Sequence, residues 1–427
     1  MRFSIERDTL TEAVAWVARA LPNRPVLPVL SGLLLSAAGD ELTLSCFDYE
    51  VSARIQVAAE ITEPGSVLVP GRLLAEITRS LPDFLVEFDD GGPDVTLTCG
   101  AASFTLVTLP VGEYPQLPDL PVLAGTVDGG VLAPAISQVV LAASRDDTLP
   151  ILTGVNIELD GDIMTLAATD RYRLAMRELG WAAARPDIQV TILIPAKTLA
   201  DAARMMTPGV SVQVMLRGDA ASAGSATSGG TGAGPWPVLA GAAPGSLRAA
   251  DAMIGFECGG RRLTTRLIAG EFIKYKSRFP GEFGCCGDMP AAPLAEAVKR
   301  VALVAERGSS VRLSFGPGKV TIEAGTEGQA RARETVAAEF EGDEHAIAFS
   351  PGYLLDGLSA ALTAAATAAP AADCDGDDGG GGGEARIRLQ FTGPTKPAVI
   401  TGTKRDCAGS APDFRYLVVP LRSLASA

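Results

Sequence analysis

The sequence predicts an α+β fold built from three tandem copies of one domain, in which two helices pack on antiparallel sheets. Three observations lead to this prediction: one helix start is written three times, an amphipathic stretch precedes each copy, and strand-like hairpins lie between them. Elements that recur in register along a chain indicate repeated structural units. The length of 427 residues also favours several domains over a single core.

The repeated helix start has the form proline, a small residue, two variable residues and leucine. It reads "VPGRLLAEITRSL", "IPAKTLADAARMM" and "SPGYLLDGLSAAL", with its proline at Pro70, Pro195 and Pro351. Proline suits the start of a helix because its missing N–H would have no partner there and its φ is already fixed. The apolar residues that follow at helical spacing then face a sheet.

An amphipathic stretch precedes each of these helices at a similar distance. The stretches are "DTLTEAVAWVARAL", "GGVLAPAISQVVLAAS" and "AAPLAEAVKRVALVAERG". Counted from Leu10, Leu132 and Leu294, the following proline lies 60, 63 and 57 residues further along. Between them, "GLLLSAAGDELTLSCFD", "GVNIELDGDIMTLAATD" and "SVRLSFGPGKVTIEAGT" read as hairpins with a glycine turn. Each unit is therefore predicted as helix, strands, helix, strands.

Two glycine- and alanine-rich segments interrupt the repeat, at about residues 217–250 and 363–384. Neither has the apolar residues that a core needs, and both are typical of flexible insertions. Without them the three units have similar lengths. We expect domains at residues 1–120, 121–281 and 282–427.

The residues that carry metal binding and catalysis are scarce. One histidine, His345, and seven cysteines without a CxxC pair make a zinc site or a His-dependent nucleophile unexpected. Four acidic residues of the second segment have the spacing of a calcium loop, but Asp378 stands where that loop needs glycine, so an acidic linker is favoured over a metal site: Asp373, Asp375, Asp377 and Glu384.

The motif search points away from an enzyme. The chain has no GxGxxG or P-loop at a strand–helix turn and no HExxH motif. We expect a protein that is not an enzyme and needs no cofactor, with an unrecognised catalytic site as the weaker alternative. The start "MRFSIERDTLTEAV" lacks the apolar core of a secretory signal, and no run of about 18 apolar residues offers a membrane span, so we expect a cytoplasmic protein with no membrane partner.

A triplicated unit without a catalytic set resembles the bacterial sliding clamp, the beta subunit of DNA polymerase III. The most specific parts of the resemblance are "LPNRPVLPVLSGLLLSA" (21–37), "LAATDRYRLAMREL" (166–179), "YLVVPLR" (416–422) and the repeated helix starts. It covers essentially the whole chain apart from the two insertions. It implies that two chains close head to tail into a ring, with strands outside and helices lining a hole around duplex DNA.

A ring that slides needs weak, sequence-independent attraction to phosphates. The net charge of −14 argues against such a partner on average, but binding depends on where the cations lie. The candidates for DNA binding on the inner helices are Arg7, Arg24, Arg72, Arg79, Lys197 and Arg204, with Arg19, Lys299, Arg300 and Arg307 beside them. By resemblance, Arg24 and Arg72 match the positions expected to touch DNA. A solvated helix face is the alternative for each of these cations.

The resemblance also implies a contact between the two chains of the ring. It falls between Phe104 and Leu106 near one edge of the first domain and Leu303 and Val304 near a helix of the third. These residues are apolar, as a head-to-tail interface requires.

A second implied surface is an apolar groove that receives short peptides from the DNA polymerase III alpha subunit, other polymerases and the clamp loader. Carried over residue by residue, the groove consists of Leu152, Thr169, Arg171, Tyr172, Arg173, Leu174, Ile273, Ser277, Arg278, Ser350, Tyr353, Thr395, Pro397, Leu417, Val418, Val419, Pro420, Leu421 and Arg422. The alternative for the terminal "LVVPL" is a plain core strand.

The chain departs from the family pattern mostly around this groove. Ile273 and Val419 stand where the family usually has Pro and Met, and Arg278 stands where it has an apolar residue. One interpretation is an actinobacterial housekeeping clamp in which these changes are drift. The other is a second clamp copy whose groove rejects a griselimycin-type cyclic peptide while still accepting polymerase peptides.

Overall fold

The computed structural model describes residues 1–92, 94–118, 121–217, 252–306, 308–325, 330–367, 385–404 and 413–421. The chain forms two compact units. Unit 1 is Met1–Gly130, Ala182–Ile188 and Arg204–Leu267, and unit 2 is Val131–Trp181, Gln189–Ala203 and Ile268–Ala427. Within the described ranges, no helix is both long enough and apolar enough to cross a membrane.

The described residues contain six α-helices, two for each predicted copy of the repeat. They are α1 (Arg7–Ala18), α2 (Gly71–Ser80), α3 (Gly129–Val140), α4 (Ala196–Ala203), α5 (Ala291–Val301) and α6 (Pro351–Thr367). The predicted helix starts are confirmed, although Pro70 and Pro195 end the preceding strand and only Pro351 lies inside its helix. Helix α6 runs past residue 363, where we expected an insertion to begin, because its alanines are strong helix formers.

Unit 1 contains two antiparallel sheets, with strands numbered in chain order. The five-stranded sheet has the order β5 (Glu60–Glu63), β1 (Arg2–Ile5), β7 (Val86–Asp89), β8 (Asp94–Cys99), β9 (Ala102–Val107). The nine-stranded sheet has the order β14 (Ala182–Ala183), β10 (Val122–Asp128), β16 (Ser211–Arg217), β17 (Met253–Cys258), β18 (Arg261–Arg266), β4 (Val51–Ala58), β3 (Glu41–Phe47), β2 (Gly32–Ala38), β6 (Gly65–Pro70). Arg217 pairs with Met253, so the first predicted insertion leaves and re-enters at adjacent strand ends. Its residues 218–251 lie outside the described part of the chain.

Unit 2 also contains two antiparallel sheets. Its nine-stranded sheet has the order β15 (Gln189–Pro195), β11 (Gly154–Asp160), β12 (Ile163–Thr169), β13 (Arg173–Gly180), β27 (Phe414–Val418), β26 (Ala398–Lys404), β25 (Ala385–Phe391), β19 (Cys285–Pro290), β23 (Glu339–Glu341). The four-stranded sheet has the order β22 (Arg331–Ala337), β21 (Lys319–Gly325), β20 (Val311–Gly316), β24 (Ala346–Phe349). Residues 368–384, with the calcium-loop spacing, lie outside the described part.

The two nine-stranded sheets match strand for strand when one is followed from β6 to β14 and the other from β15 to β23. The hairpin β2–β3 in the first corresponds to β11–β12 in the second. Their turns contain Gly39 and Gly161 at φ values of 60° and 57°, a left-handed conformation that glycine adopts without strain. The same element order and turn geometry confirm that these parts of the chain are structural repeats.

Helix α6 lies against β26 and β27 at a distance that only glycine allows. A Cβ atom on Gly402 would lie 2.1 Å from the carbonyl oxygen of Ala361, and one on Gly357 would lie 2.5 Å from the ring of Tyr416. The close approach buries Leu354, Leu358 and the apolar side chains of both strands. This packing fixes the end of the chain against the rest of unit 2.

We expect Gly402→Ala to lower the free energy of unfolding by about 1–3 kcal/mol, because the added methyl group overpacks the helix–sheet contact. Urea denaturation followed by circular dichroism measures the change. Gly180→Ala is the matched control, since a Cβ atom there meets nothing within 4 Å. Equal stabilities for the two variants would show that the close contact of α6 is absent.

Candidate functional site

An apolar cluster on one face of the nine-stranded sheet of unit 2 brings groove candidates together. It consists of the buried residues Ala167, Leu174, Met176, Leu193, Phe272, Tyr275, Val399 and Leu417, with Ile151, Ile268, Phe279, Phe283 and Val419 packed against it. We call it the groove cluster. Leu174 on β13 pairs with Leu417 on β27, which in turn pairs with Val399 on β26. The terminal strand is therefore a core strand that also forms part of the floor of this cluster.

A tight turn connects β12 to β13 and carries four of the candidates. The Thr169 hydroxyl donates to the carbonyl oxygen of Arg173 at 2.6 Å and accepts from the N–H of Arg171 at 3.2 Å. Asp170 Oδ1 accepts from the N–H groups of Tyr172 and Arg173, both at 3.0 Å. Arg171 has a φ of 81°, which strains a side chain other than glycine. The turn thus exposes Arg171 and Tyr172 and turns Arg173 inward.

Arg173 connects three parts of unit 2. Its guanidinium contacts Asp170 at 2.9 Å and Asp356 of α6 at 2.5 Å, and it lies over the ring of Tyr353 at 4.6 Å. Burial alone would lower the pKa of Arg173, but Tyr416, Asp356 and Asp170 raise it above its ordinary value. Burial has the opposite effect on the Tyr416 hydroxyl, whose pKa it raises, and this hydroxyl donates to the carbonyl oxygen of Tyr353 at 2.8 Å. Arg173 therefore stays charged and orders the turn.

The residues after β27 continue along the same edge of the cluster. The N–H of Val419 donates to the carbonyl oxygen of Tyr172 at 2.9 Å, and that of Leu421 donates to the carbonyl oxygen of Ala348 at 2.8 Å. Val418 and Pro420 are buried, whereas Leu421 is 39% exposed. Leu421 and Tyr172, which is 55% exposed and stacks on Tyr353 with ring centres 6.3 Å apart, offer apolar surface to a partner.

The segment in which the chain departs from the family pattern closes the other side of the cluster. Phe272 is buried and meets Tyr275 edge to face at 6.0 Å, whereas Ile273 is 39% exposed. Lys276 forms an ion pair with Glu158 at 2.6 Å. Burial, with Glu158 nearby, raises the pKa of Tyr275 above its ordinary value. Ile273 is therefore exposed next to Phe272, which is a buried member of the cluster.

The remaining groove candidates lie at varying depths. Leu152 is buried in a short 3-10 helix, Ser350 and Pro397 are half-buried, and Ser277, Arg278 and Thr395 are exposed. Arg422 lies outside the described residues. The sequence analysis did not select Asp170 or Asp356, the partners of Arg173. Asp170 lies in the turn, and Asp356 lies on α6, which is distant in the sequence. The pairing of Phe272 with Tyr275 was also missed, although "GEFIKY" alternates large apolar residues with polar ones.

The cations proposed for DNA binding lie on or beside helices. Arg24, Arg72, Arg79, Lys197 and Arg204 are exposed. Arg72 donates to Asn23 Oδ1 at 2.8 Å and to the Pro22 carbonyl oxygen at 3.1 Å, which holds the loop that carries Arg24. Arg7 is instead half-buried, with ion pairs to Asp8 and Asp83 at 3.1 and 3.2 Å. Neighbouring carboxylates therefore already engage Arg7.

The four interface candidates differ in exposure. Phe104 is half-buried on β9, an edge strand of the five-stranded sheet, whereas Leu106 is only 1% exposed and faces the core of unit 1. Val107, which sequence analysis did not select, is 69% exposed on the same strand. Leu303, just after α5 in unit 2, is 83% exposed, and Val304 is half-buried.

We expect Asp170→Asn to lower the free energy of unfolding by about 1–3 kcal/mol, because it leaves the buried Arg173 with one carboxylate fewer. The side chains of Asp170 and Arg173 are 12% and 8% exposed, so water cannot compensate for the lost ion pair. Glu323→Gln is the control, since its pair with Arg333 is exposed and should change stability by less than about 0.5 kcal/mol. Equal urea midpoints for the two variants would contradict the role of Asp170.

Three consecutive parts of the chain match the domains of one family. Residues 1–118 match the N-terminal domain of the DNA polymerase III beta subunit, residues 126–274 its central domain and residues 276–367 its C-terminal domain. The chain is 48% identical over 422 residues to the beta sliding clamp of Streptomyces coelicolor, covering 99% of both chains. It is 40% identical over the same length to the beta sliding clamp homolog GriR of Streptomyces muensis, again with 99% of both covered.

Solved structures agree with this match. A Pseudomonas aeruginosa sliding clamp bound to griselimycin is 26% identical, with a TM-score of 0.78 over 99% of both chains. The fold is also that of the Bacillus subtilis sliding clamp, at 24% identity and a TM-score of 0.78 over 99% of both chains. The chain therefore belongs to the bacterial DNA polymerase III beta subunit family, the sliding clamps, which are non-catalytic processivity factors.

Proposed function

We propose that two copies of this chain close head to tail into a ring around duplex DNA and tether polymerases through the groove of unit 2. The observation that carries the proposal is the groove itself, an apolar cluster with exposed Tyr172, Ile273 and Leu421 at its rim. A short apolar peptide fits such a surface, and the ordered Arg173 network keeps it preformed. The peptides would come from the alpha subunit and other polymerases and from the clamp loader, in the cytoplasm.

The DNA side of the proposal rests on exposed cations. Arg24 and Arg72 are presented together in unit 1, since Arg72 fixes the loop before Arg24. Phosphate attraction from such residues is independent of sequence and weakens with salt, as sliding requires. Three domains at residues 1–120, 121–281 and 282–427 are part of this proposal. Two copies of three domains would give the ring its approximate sixfold repeat.

Ring closure is proposed to use two exposed sheet edges. Strand β9 ends one sheet of unit 1 and β22 ends the four-stranded sheet of unit 2, and edge strands carry unpaired N–H and C=O groups. Phe104 and Val107 lie on β9, and Leu303 lies after α5, which contacts β22. Pairing β9 of one protomer with β22 of the other would cover these groups and bury Leu303.

We expect Leu303→Asp to weaken the dimer at least tenfold, about 1.4 kcal/mol, because it introduces a charge into the proposed interface. Analytical ultracentrifugation at micromolar concentration measures the effect, and DNA retention on a closed plasmid tests ring function. Ile163→Asp, on a hairpin residue that is 51% exposed, is the control and should stay dimeric. A monomeric wild-type protein, or equal dimer constants for both variants, would overturn this closure.

A second candidate function is that of an additional clamp that tolerates a griselimycin-type cyclic peptide. The relation to GriR and the exposed Ile273 at the groove rim favour considering it. A rigid cyclic ligand cannot adapt to a changed rim as a flexible polymerase peptide can, so one substitution can separate the two affinities. The higher identity to the Streptomyces coelicolor clamp, 48% against 40%, supports the housekeeping role as the first candidate.

We expect Ile273→Pro to raise griselimycin affinity tenfold or more if the groove is altered for resistance, with the affinity for a polymerase peptide unchanged. Fluorescence anisotropy with both ligands measures this. Glu271→Gln, also exposed in the segment, is the control. If wild type and Ile273→Pro bind griselimycin with equal affinity, the resistance function is rejected and the housekeeping function is retained. Failure of the polymerase peptide to bind either protein would overturn the groove assignment.

A further inference from the structure

The matching sheets give unit 1 a face that corresponds to the groove face of unit 2. In unit 1 the turn from β3 to β4 repeats the turn from β12 to β13: Asp48 Oδ1 accepts from the N–H groups of Glu50 and Val51, at 3.0 and 2.7 Å. Tyr49 has a φ of 74°, as Arg171 has 81° in the second turn. Among the described residues, these two are the ones other than glycine with a positive φ.

Further contacts extend the correspondence to the walls of the face. The N–H of Leu109 donates to the Leu68 carbonyl oxygen at 2.8 Å, as that of Ile268 donates to the Leu193 carbonyl oxygen at 2.8 Å. Leu30 occupies the place of Leu152, each in a short 3-10 helix that begins at a proline. "GEY" at 112–114 corresponds to "GEF" at 270–272. The backbone of the groove is therefore present twice.

The two faces differ in chemistry at four matched positions, whereas a fifth pair, Arg262 of unit 1 and Arg415 of unit 2, is arginine in both. By register, Ala167, Leu174, Met176 and Leu417 of unit 2 correspond to Ser45, Ser52, Arg54 and Thr264 of unit 1. Arg54 pairs with Ser45 on one side and Arg262 on the other, and Ser52 pairs with Thr264 two positions along. Strand alternation puts all of them on one face. An apolar floor has thus become one of hydroxyls and guanidinium groups.

This polar face has unfilled hydrogen-bonding capacity. Thr264 is 5% exposed, and its Oγ1 has no partner among the described residues; the same holds for the buried Nε of Arg54. The carboxylate of Glu257 is taken by Arg262 at 2.5 Å, and that of Glu41 accepts from Gln56 at 3.2 Å. Of the two neighbouring guanidinium groups, that of Arg262 is paired with Glu257, whereas that of Arg54 has no carboxylate partner among the described residues.

We propose that this face of unit 1 is a second recognition site, which binds an oxyanion, either a carboxylate or a phosphate group, between Arg54 and Thr264. A guanidinium N–H donor beside a hydroxyl donor suits an oxyanion, and such charge-assisted bonds are the stronger ones. A bound oxyanion satisfies both buried atoms and supplies the missing negative charge. Tyr114, which corresponds to Phe272 of the groove, accepts from the Phe47 N–H at 2.7 Å.

The test measures binding of inorganic phosphate to the full-length protein by ³¹P line broadening, at constant ionic strength. We expect saturable binding in the millimolar range, weakened at least tenfold by Arg54→Met, the substitution that copies unit 2. Arg333→Met, at an exposed ion pair in unit 2, is the control and should bind phosphate as wild type does. If the helix cations held the phosphate, its ³¹P line would broaden equally with wild type and with Arg54→Met. That result would overturn the proposal.

Two additions complete the experiment. Thr264→Val removes the hydroxyl at nearly constant volume and should weaken binding severalfold, which tests the site even if Arg54→Met does not fold. Acetate is then titrated into the phosphate-bound protein: displacement shows that the site accepts carboxylates as well as phosphates, and no displacement restricts it to phosphates. No saturable broadening in the wild type would reject the site. Anisotropy with the polymerase peptide, read on the same samples, reports separately on the groove of unit 2.

Discussion

The pairing of β13 with β27 is the interaction on which the candidate groove depends. It joins residues 173–177 of the middle of the chain to residues 414–418 near its end. Through this pairing Leu174 and Leu417 become neighbours, Val419 reaches the Tyr172 carbonyl oxygen, and Tyr416 reaches Tyr353. A local segment cannot form this surface, because its two halves meet only when the last strand has been added to the sheet.

Arg173 shows how that pairing is kept in place. It is buried, and its two carboxylate partners come from its own turn and from α6. A buried arginine without such partners would be strongly unfavourable, so the turn, the strand and the helix hold their positions together. The pKa of Arg173 is raised above its ordinary value, so its guanidinium stays charged near neutral pH. A groove preformed in this way would bind the proposed peptide without the entropic cost of ordering its own walls.

The repeat could be predicted from the sequence, whereas the side-chain network around Arg173 could not. Proline at helix starts and glycine at hairpin turns are local signals, and the helices at Gly71, Ala196 and Pro351 confirm them. The sheet order is not local, since β18 joins β4 and β27 joins β13 across the predicted domain limits. Resemblance to the family supplied Arg173 and Leu417 as groove residues. It could not supply Asp356, because nothing in the residues around a helical aspartate indicates which distant cation it meets.

The two nine-stranded sheets separate what backbone geometry fixes from what side chains decide. Both carry the same turn, and in both a residue other than glycine accepts a left-handed conformation at a cost of about 1–3 kcal/mol. The left-handed conformation occurs at both Tyr49 and Arg171 although the two faces differ at four matched positions, so the side chains of neither face explain it. It follows instead from the Asp side chain, which accepts two backbone N–H groups in each turn and so fixes the path of the chain. The two sheets thus share one backbone, and their matched faces differ in polarity at four strand positions, whereas Arg262 and Arg415 are arginine in both.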